Sequence, residues 1–481
     1  MFKPVLHGVL AIAISTLFAG CTTLGPDFKA PAAPADAAFR HADASTNAAR
    51  LPATWWQVFG DATLDTLETR ALRDNPGVEA AAQRLLQAQA QLGVVRAGQL
   101  PSVSVGAGVS NARTSSETSQ GLALGDRSIE GNNYSVAASF SYELDLWGRV
   151  RRIVEASDAQ ALAAQIDRDG VLLMLSGQVA SNYWQLRGLD AELAILRDAL
   201  ATRRESQDLI EARFNAGLSN ELDVSRTRIE RANAEADLHE VQRQRNLVEH
   251  ALATLVGASP TAPLLPESPA AAALPQPPAI PVGLPASLVG QRPDLAASVA
   301  QLKAANAQIG VAEGAFYPAL SLTGNFGYAS QSLNDLASGG ARQFSAGPLA
   351  LSLPIFDGGR NRANLALAQA RYDEARANHA TRLLTALREV EDALSDVEQR
   401  HKQGDVQAQS QQAAARALLV AQARYERGVS TYLDVTDAQR STLAADRAAA
   451  QIRTQRLLAT VAVARALGGG WEQGAALATV R

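Results

Sequence analysis

The 481-residue chain has one cysteine, two methionines and only 5% aromatic residues. A single thiol forms no internal disulfide and is a poor start for a metal site, which draws on several clustered soft ligands. Met174 is the only methionine beyond the start, so no soft-metal relay is encoded. Against 48 acidic residues stand 44 Lys and Arg, a net charge of −4. That leaves no basic excess to meet phosphates and excludes a nucleic-acid binder. Beyond the first 20 residues no run of about 18 apolar residues occurs, so no transmembrane helix is expected. The G-x-S-x-G, H-E-x-x-H and P-loop patterns are missing too. The six histidines are scattered. His239 and His250 share a helical phase, lack ligand company, and read as surface residues. What abounds is Ala, with Gln, Arg, Leu and Glu, the composition of long helices with small contact residues.

The lone cysteine is informative by its position. Lys3 gives a positive start, an apolar run from Val9 to Ala19 follows, and small residues Ala19 and Gly20 precede Cys21. This is the layout of a secretory signal, too short to span a bilayer as a helix. Leu17-Phe18-Ala19-Gly20-Cys21 resembles a bacterial lipobox, which implies that Cys21 is lipidated and becomes the first residue of an exported, anchored protein. Acyl chains contribute about 0.8 kcal/mol per buried CH₂. Residue 22 is Thr rather than the Asp that tends to hold bacterial lipoproteins at the inner membrane, which favours the outer one.

The chain also repeats itself. "NPGVEAAAQRLLQAQAQLGVVRAGQLPSVSV" from Asn75 aligns with "RPDLAASVAQLKAANAQIGVAEGAFYPALSL" from Arg292, and "RFNAGLSNELDV" from Arg213 aligns with "RYERGVSTYLDV" from Arg424. The offset drops from 217 to 211 between these blocks, placing a longer insertion in the first half, within 111–132. A period this long is a duplicated domain, not a solenoid unit of 20–50 residues. We divide the chain into a signal peptide (1–20), a lipidated N-terminal segment (21–60), a first repeat (61–257), a Pro-rich connector (258–286), a second repeat (287–470) and a tail (471–481).

Each repeat reads as helix, strand pair, long helices. Strands are expected at about 102–110, 134–142, 319–328 and 345–354. Val103, Val105, Ala107 and Val109 share one face of the first, and Tyr134, Val136, Ala138, Phe140 and Tyr142 one face of the second. Segments of this length with one apolar face suit tilted barrel strands; ordinary surface hairpins show the same alternation. Four strands close no spanning barrel, so if they span, several chains share one. From Gly148 to Asn215, and again from Arg360 to Arg427, about 65 residues are compatible with one helix each, roughly 100 Å long. A second helix of about 35–40 residues follows each. Gly217 and Gly428 read as helix C-caps in tight hairpins, with Ser219 or Asn220, and Ser430 or Thr431, as N-caps.

Six ordered motifs carry a family resemblance: "GPDFKAP" after Cys21, "WWQVFGDATLDTL" from Trp55, "YELDLWGR" from Tyr142, "RPDLAASVAQL" from Arg292, "FYPALSLTG" from Phe316 and "LPIFDGGR" from Leu353. Together they resemble the outer-membrane factor family of tripartite efflux systems, the TolC-like channels, and within it the NodT-type lipoproteins of RND pumps. Ser298 departs from the Glu usual there. The resemblance implies an α+β membrane protein: a homotrimer with a 12-strand β-barrel, four strands per chain, continued by a long α-helical barrel. It also implies a periplasmic adaptor and an inner-membrane RND transporter as partners, an outer-membrane setting extending into the periplasm, no enzymatic activity, and no cofactor beyond the lipid on Cys21. Its function would be a passive exit duct for small molecules. A type I protein-secretion duct uses the same scaffold, and a lipid-anchored helical scaffold without a pore is the reading from another class.

Asp434 and Asp437, three apart, share a helical face. The resemblance makes them carboxylate rings at a periplasmic gate, with Asp223 and Tyr425 in the links that hold it shut and Ser430 where the family carries an arginine. Such rings attract cations and set selectivity. Helix capping by Thr431 and Asp434 is the plain structural alternative. The turns Gly217-Leu218-Ser219 and Gly428-Val429-Ser430 are the adaptor-docking sites that the resemblance implies.

Overall fold

The computed structural model describes residues 23–32, 38–41, 51–119, 123, 125, 128–267, 274–282 and 287–471. The signal peptide, Cys21 and the tail beyond residue 471 lie outside them. The helices are α1 (Ala62–Asp74), α2 (Pro76–Ala97), α3 (Arg149–Asn215), α4 (Glu221–Leu255), α5 (Pro293–Gly314), α6 (Arg360–Glu426) and α7 (Tyr432–Ala466). The strands are β1 (Ser102–Arg113), β2 (Glu130–Leu144), β3 (Ala319–Ser330) and β4 (Arg342–Ser352). The order α2-β1-β2-α3-α4 thus recurs as α5-β3-β4-α6-α7. Helix lengths match as well: 22 and 22 residues, then 67 and 67, then 35 and 35.

The four strands form one antiparallel sheet in the order β1-β2-β3-β4. The strands are longer than the alternation of apolar residues suggests. β1 continues to Arg113 and β2 begins at Glu130, because Asn111 pairs with Asn132 and Arg113 with Glu130 across the ladder. The insertion of the first repeat therefore lies between those strand ends, inside the expected range 111–132. A bulge between Leu322 and Gly324 shifts the β3–β4 register; opposite it, Gly347 takes φ +99°, a conformation that favours glycine. Val103, Val105 and Val109 on β1 and Leu349 and Leu351 on β4 are all exposed in the isolated chain.

The chain divides into two compact units, and both repeats contribute to each. The first (1–31, 85–164 and 298–379) holds the sheet. There "YELDLWGR" builds the exit from β2. Arg149 donates to Glu143 through Nε and Nη2 at 2.7–3.0 Å, and Asp145 accepts from the Val150 and Arg151 amides at 3.0 and 2.9 Å. Trp147 Nε1 donates to the Pro318 carbonyl (2.8 Å) and its ring lies against Tyr317. Asp357 of "LPIFDGGR" caps α6 through the Gly359 and Asn361 amides, both at 2.9 Å. The stretch after the lipobox is pinned here: buried Arg152 donates to the Leu24 carbonyl (2.9 Å) and to Asp27 (3.0 Å), and Asn306 to the Pro26 carbonyl (2.7 Å). Ser298 accepts a specific role: its hydroxyl is 2.7 Å from His379 Nδ1, with both residues buried.

The second unit (32–84, 165–297 and 380–481) packs its main core around "WWQVFGDATLDTL". Trp55, Trp56 and Phe59 form a 3-10 turn that meets Tyr183 and Trp184 of α3, Leu252 of α4 and Leu457 and Val461 of α7. Asp61 caps α1 through the Thr63 and Leu64 amides and accepts from Tyr183 Oη at 2.7 Å. The Pro-rich connector has no helix or strand in its described part. Glu249 ties it down by accepting from the Leu264 and Leu265 amides (2.9 and 3.1 Å), and Ile280 and Val282 bury in a second core. Arg292 of "RPDL" is buried, donating to the Ala466 carbonyl (2.9 Å) and pairing with Asp294 and Glu389.

Candidate gate at the helix turns

Both hairpins close in the same way, and the reason is glycine. Gly217 and Gly428 take φ +74° and +71°. Each lets the next amide reach back to a helix carbonyl: Leu218 to Arg213 at 2.8 Å, Val429 to Arg424 at 3.0 Å. Those are the bonds of a Schellman ending, which satisfies carbonyls that the helix leaves open. The apolar tips Leu218 and Val429 are exposed, and Ser219 and Ser430 half-buried. The N-caps differ. Asn220 accepts from the Asp223 amide at 2.9 Å, whereas Thr431 makes no side-chain cap bond. Asn220 is thus a side-chain N-cap, whereas of the Thr431 and Asp434 capping alternative only the acidic residue in the first turn is present. The Ser430 hydroxyl is buried with no hydrogen-bond partner among the described residues.

Between the turns lies a small core of Ile210, Val224, Tyr432 and Val435, flanked by Tyr425. Tyr425 packs edge-on against Tyr432 at 5.4 Å, and the Arg213 guanidinium sits 5.1 Å over its ring. Burial pushes up the Tyr432 hydroxyl pKa, with Ser206 opposing. Asp223 is half-buried and held by Asn220 (3.0 Å) and Arg226 (3.4 Å). Among the described residues no hydrogen bond joins Asp223 to Tyr425. Asp434 and Asp437 both stand exposed at the start of α7. They differ in company: Asp437 has an ion pair with Arg440 at 3.6 Å.

Arg440 leads to a network that sequence reading missed. Glu230 of α4, almost fully buried, is bridged by Arg203 of α3 at 3.3 Å and by both Arg440 Nε (2.7 Å) and Arg440 Nη2 of α7. Burial lowers the Arg203 pKa while Glu230 opposes. Further along, Arg447 of α7 joins Glu192 of α3 (2.7 Å) to Asp237 of α4 (2.8 Å). One signal was available: Arg440 and Arg447 are seven apart, two turns on one face. Their acidic partners Glu230, Asp237 and Glu192 sit 210 to 255 residues earlier, where periodicity has no reach. His239 and His250 are exposed, and no group of three His, Cys, Asp or Glu among the described residues could hold a metal.

The family described as "Outer membrane efflux protein" matches residues 67–258 and 284–469. The outer membrane protein OprJ of Pseudomonas aeruginosa is 36% identical over 485 residues, spanning 100% of this chain and 99% of that one. The toluene efflux pump outer membrane protein TtgI of Pseudomonas putida is 33% identical over 95% of this chain and 96% of its own. Among solved structures, the CmeC outer membrane channel of Campylobacter jejuni superposes with a TM-score of 0.88 at 27% identity, covering 94% of this chain and 96% of that one.

Proposed function

The chain belongs to the outer membrane efflux protein family, and we propose that three copies of it close one channel, the passive exit duct of a tripartite RND-type pump for small molecules. One observation carries this reading: a four-stranded sheet whose β1 and β4 have a neighbour on one side only. In a bilayer, unpaired backbone groups cost several kcal/mol each, so an open sheet cannot stay open there. Four strands are too few to close; three copies supply twelve, within the range of known barrels. Joining β4 of one copy to β1 of the next satisfies both edges at once. The exposed valines and leucines of those strands then face lipid.

The other assignments follow from that assembly. Cys21 takes the lipid, adding an anchor at the outer membrane. The turns at Gly217-Leu218-Ser219 and Gly428-Val429-Ser430 receive a periplasmic adaptor, whose inner-membrane RND partner supplies the energy. No catalytic constellation is needed, because the channel only conducts. At the turns, Asp434 and Asp437 supply carboxylate rings, and Asp223 and Tyr425 belong to the contacts that keep the passage narrow. The test is conductance of the purified protein in planar bilayers. Cation-preferring current is the expected result; a protein that never conducts removes the duct and leaves a helical scaffold.

A further inference from the structure

The helix that carries both candidate gate carboxylates is held unequally by its neighbours. Toward α3 and α4, α7 is fastened by ion pairs: Arg440 to buried Glu230, itself paired with Arg203, and Arg447 to Glu192 and Asp237. Toward α6 the ties are uncharged on one or both sides: Gln411 to Asp446 (2.7 Å), Gln407 to the Ala445 carbonyl (3.1 Å), Thr442 to the Ala414 carbonyl (3.1 Å) and Arg400 to Gln455 (2.7 Å). No ion pair joins α6 to α7 among the described residues. Glu230 sits nearest the turn, and its partner Arg440 is the same guanidinium that meets Asp437.

We infer that Glu230 is a positioning residue for the gate: by holding Arg440 against the α3–α4 pair, it fixes the start of α7 and decides how much of the Asp437 charge is left for passing cations. This rests on the reading of Asp434 and Asp437 as gate residues. Two guanidiniums from different helices converge on one buried carboxylate, so removing its charge leaves buried Arg203 beside Arg440 without the anion between them, and Arg440 with Asp437 as its remaining ion-pair partner. Breaking one partner of a buried pair is strongly unfavourable, and the relief available here is for α7 to move away. Arg440 also neutralises part of the ring. Asp434, which has no ion-pair partner among the described residues, carries most of the cation preference.

The test compares single channels of the full-length protein in planar bilayers. Glu230→Gln is expected to raise the open fraction roughly tenfold, within the range of a typical coupling between two sites, and to lower cation preference in part, because the freed Arg440 turns to Asp437 while Asp434 keeps its charge. Glu230→Asp restores most of the closed behaviour. Arg440→Gln opens the channel to the same degree and increases cation preference, and the Glu230→Gln/Arg440→Gln double variant is no more open than either single one. Should Glu230→Gln fail to assemble, Arg440→Gln against Arg440→Lys gives the same comparison. Wild-type currents in Glu230→Gln and Arg440→Gln, alongside altered currents in Asp434→Ala/Asp437→Ala, overturn the inference and leave the gate reading standing. Wild-type currents in all of them remove both.

Discussion

Gly188 of α3 faces Thr454 of α7 so closely that a β-carbon at position 188 would fall 2.6 Å from the Thr454 methyl and 2.9 Å from its Cβ. A glycine within a 67-residue helix weakens it by roughly 0.5–1 kcal/mol relative to Ala. Here a larger residue has no room, because the Thr454 side chain occupies the place of its β-carbon. Gly177 is a gentler case: its β-carbon would meet the flexible Arg465 side chain at 3.1 Å. We expect Gly188→Val to lower stability by about 1–3 kcal/mol, the usual cost of overpacking. Gly177→Ala should be close to neutral. Thermal unfolding followed by circular dichroism separates the two; equal effects would mean that the Thr454 contact does not constrain the packing.

Glu68 gives a pH dependence of known sign. It lies in the aromatic core of the second unit, and burial pushes its carboxyl pKa up to about 9 from 4.5, with the Ala180 backbone pulling only partly back. The carboxyl is thus protonated in the folded state at neutral pH. Its folded pKa is raised, so its contribution is fully present below about 4.5 and is lost as pH rises toward 9. Glu68→Gln mimics the protonated form. The variant's melting temperature should match wild type near pH 4.5 and exceed it increasingly up to pH 9. A difference that stays constant with pH would show that Glu68 does not titrate in this way.

How much of this was legible beforehand depends on the range of the interaction. The helix lengths, the four strand positions and both glycine turns follow from local pattern: period, alternation and φ > 0 at Gly217 and Gly428. Strand ends did not. Asn111, Arg113, Glu130 and Asn132 look like a polar loop, because what makes them strand is their partner across the ladder. The candidate gate was partly legible, since Asp434 and Asp437 share a face. Glu230 and Glu192 were not, because a carboxylate becomes a buried bridge only when three distant helices meet around it. The missing usual Glu at Ser298 likewise gained a meaning only through His379.

Asp434 and Asp437 should not be equivalent. Arg440 stands 3.6 Å from Asp437, and no ion pair to Asp434 is found among the described residues. Reversal potentials under a salt gradient should move further toward zero for Asp434→Ala than for Asp437→Ala, and the double variant should conduct more than wild type. Unchanged current and selectivity in the double variant would take both residues out of the gate.

Cys21→Ser should abolish labelling by radioactive palmitate while the barrel still assembles, because the sheet inserts by its own apolar face. Incorporation that persists in the variant would place the lipid elsewhere.

One chain is a fraction of a channel wall. The most direct measurement is the mass of the detergent-solubilised mature protein by native mass spectrometry. Three chains in one particle are predicted, with β4 of each meeting β1 of the next. A monodisperse single chain that keeps its four strands folded would contradict it.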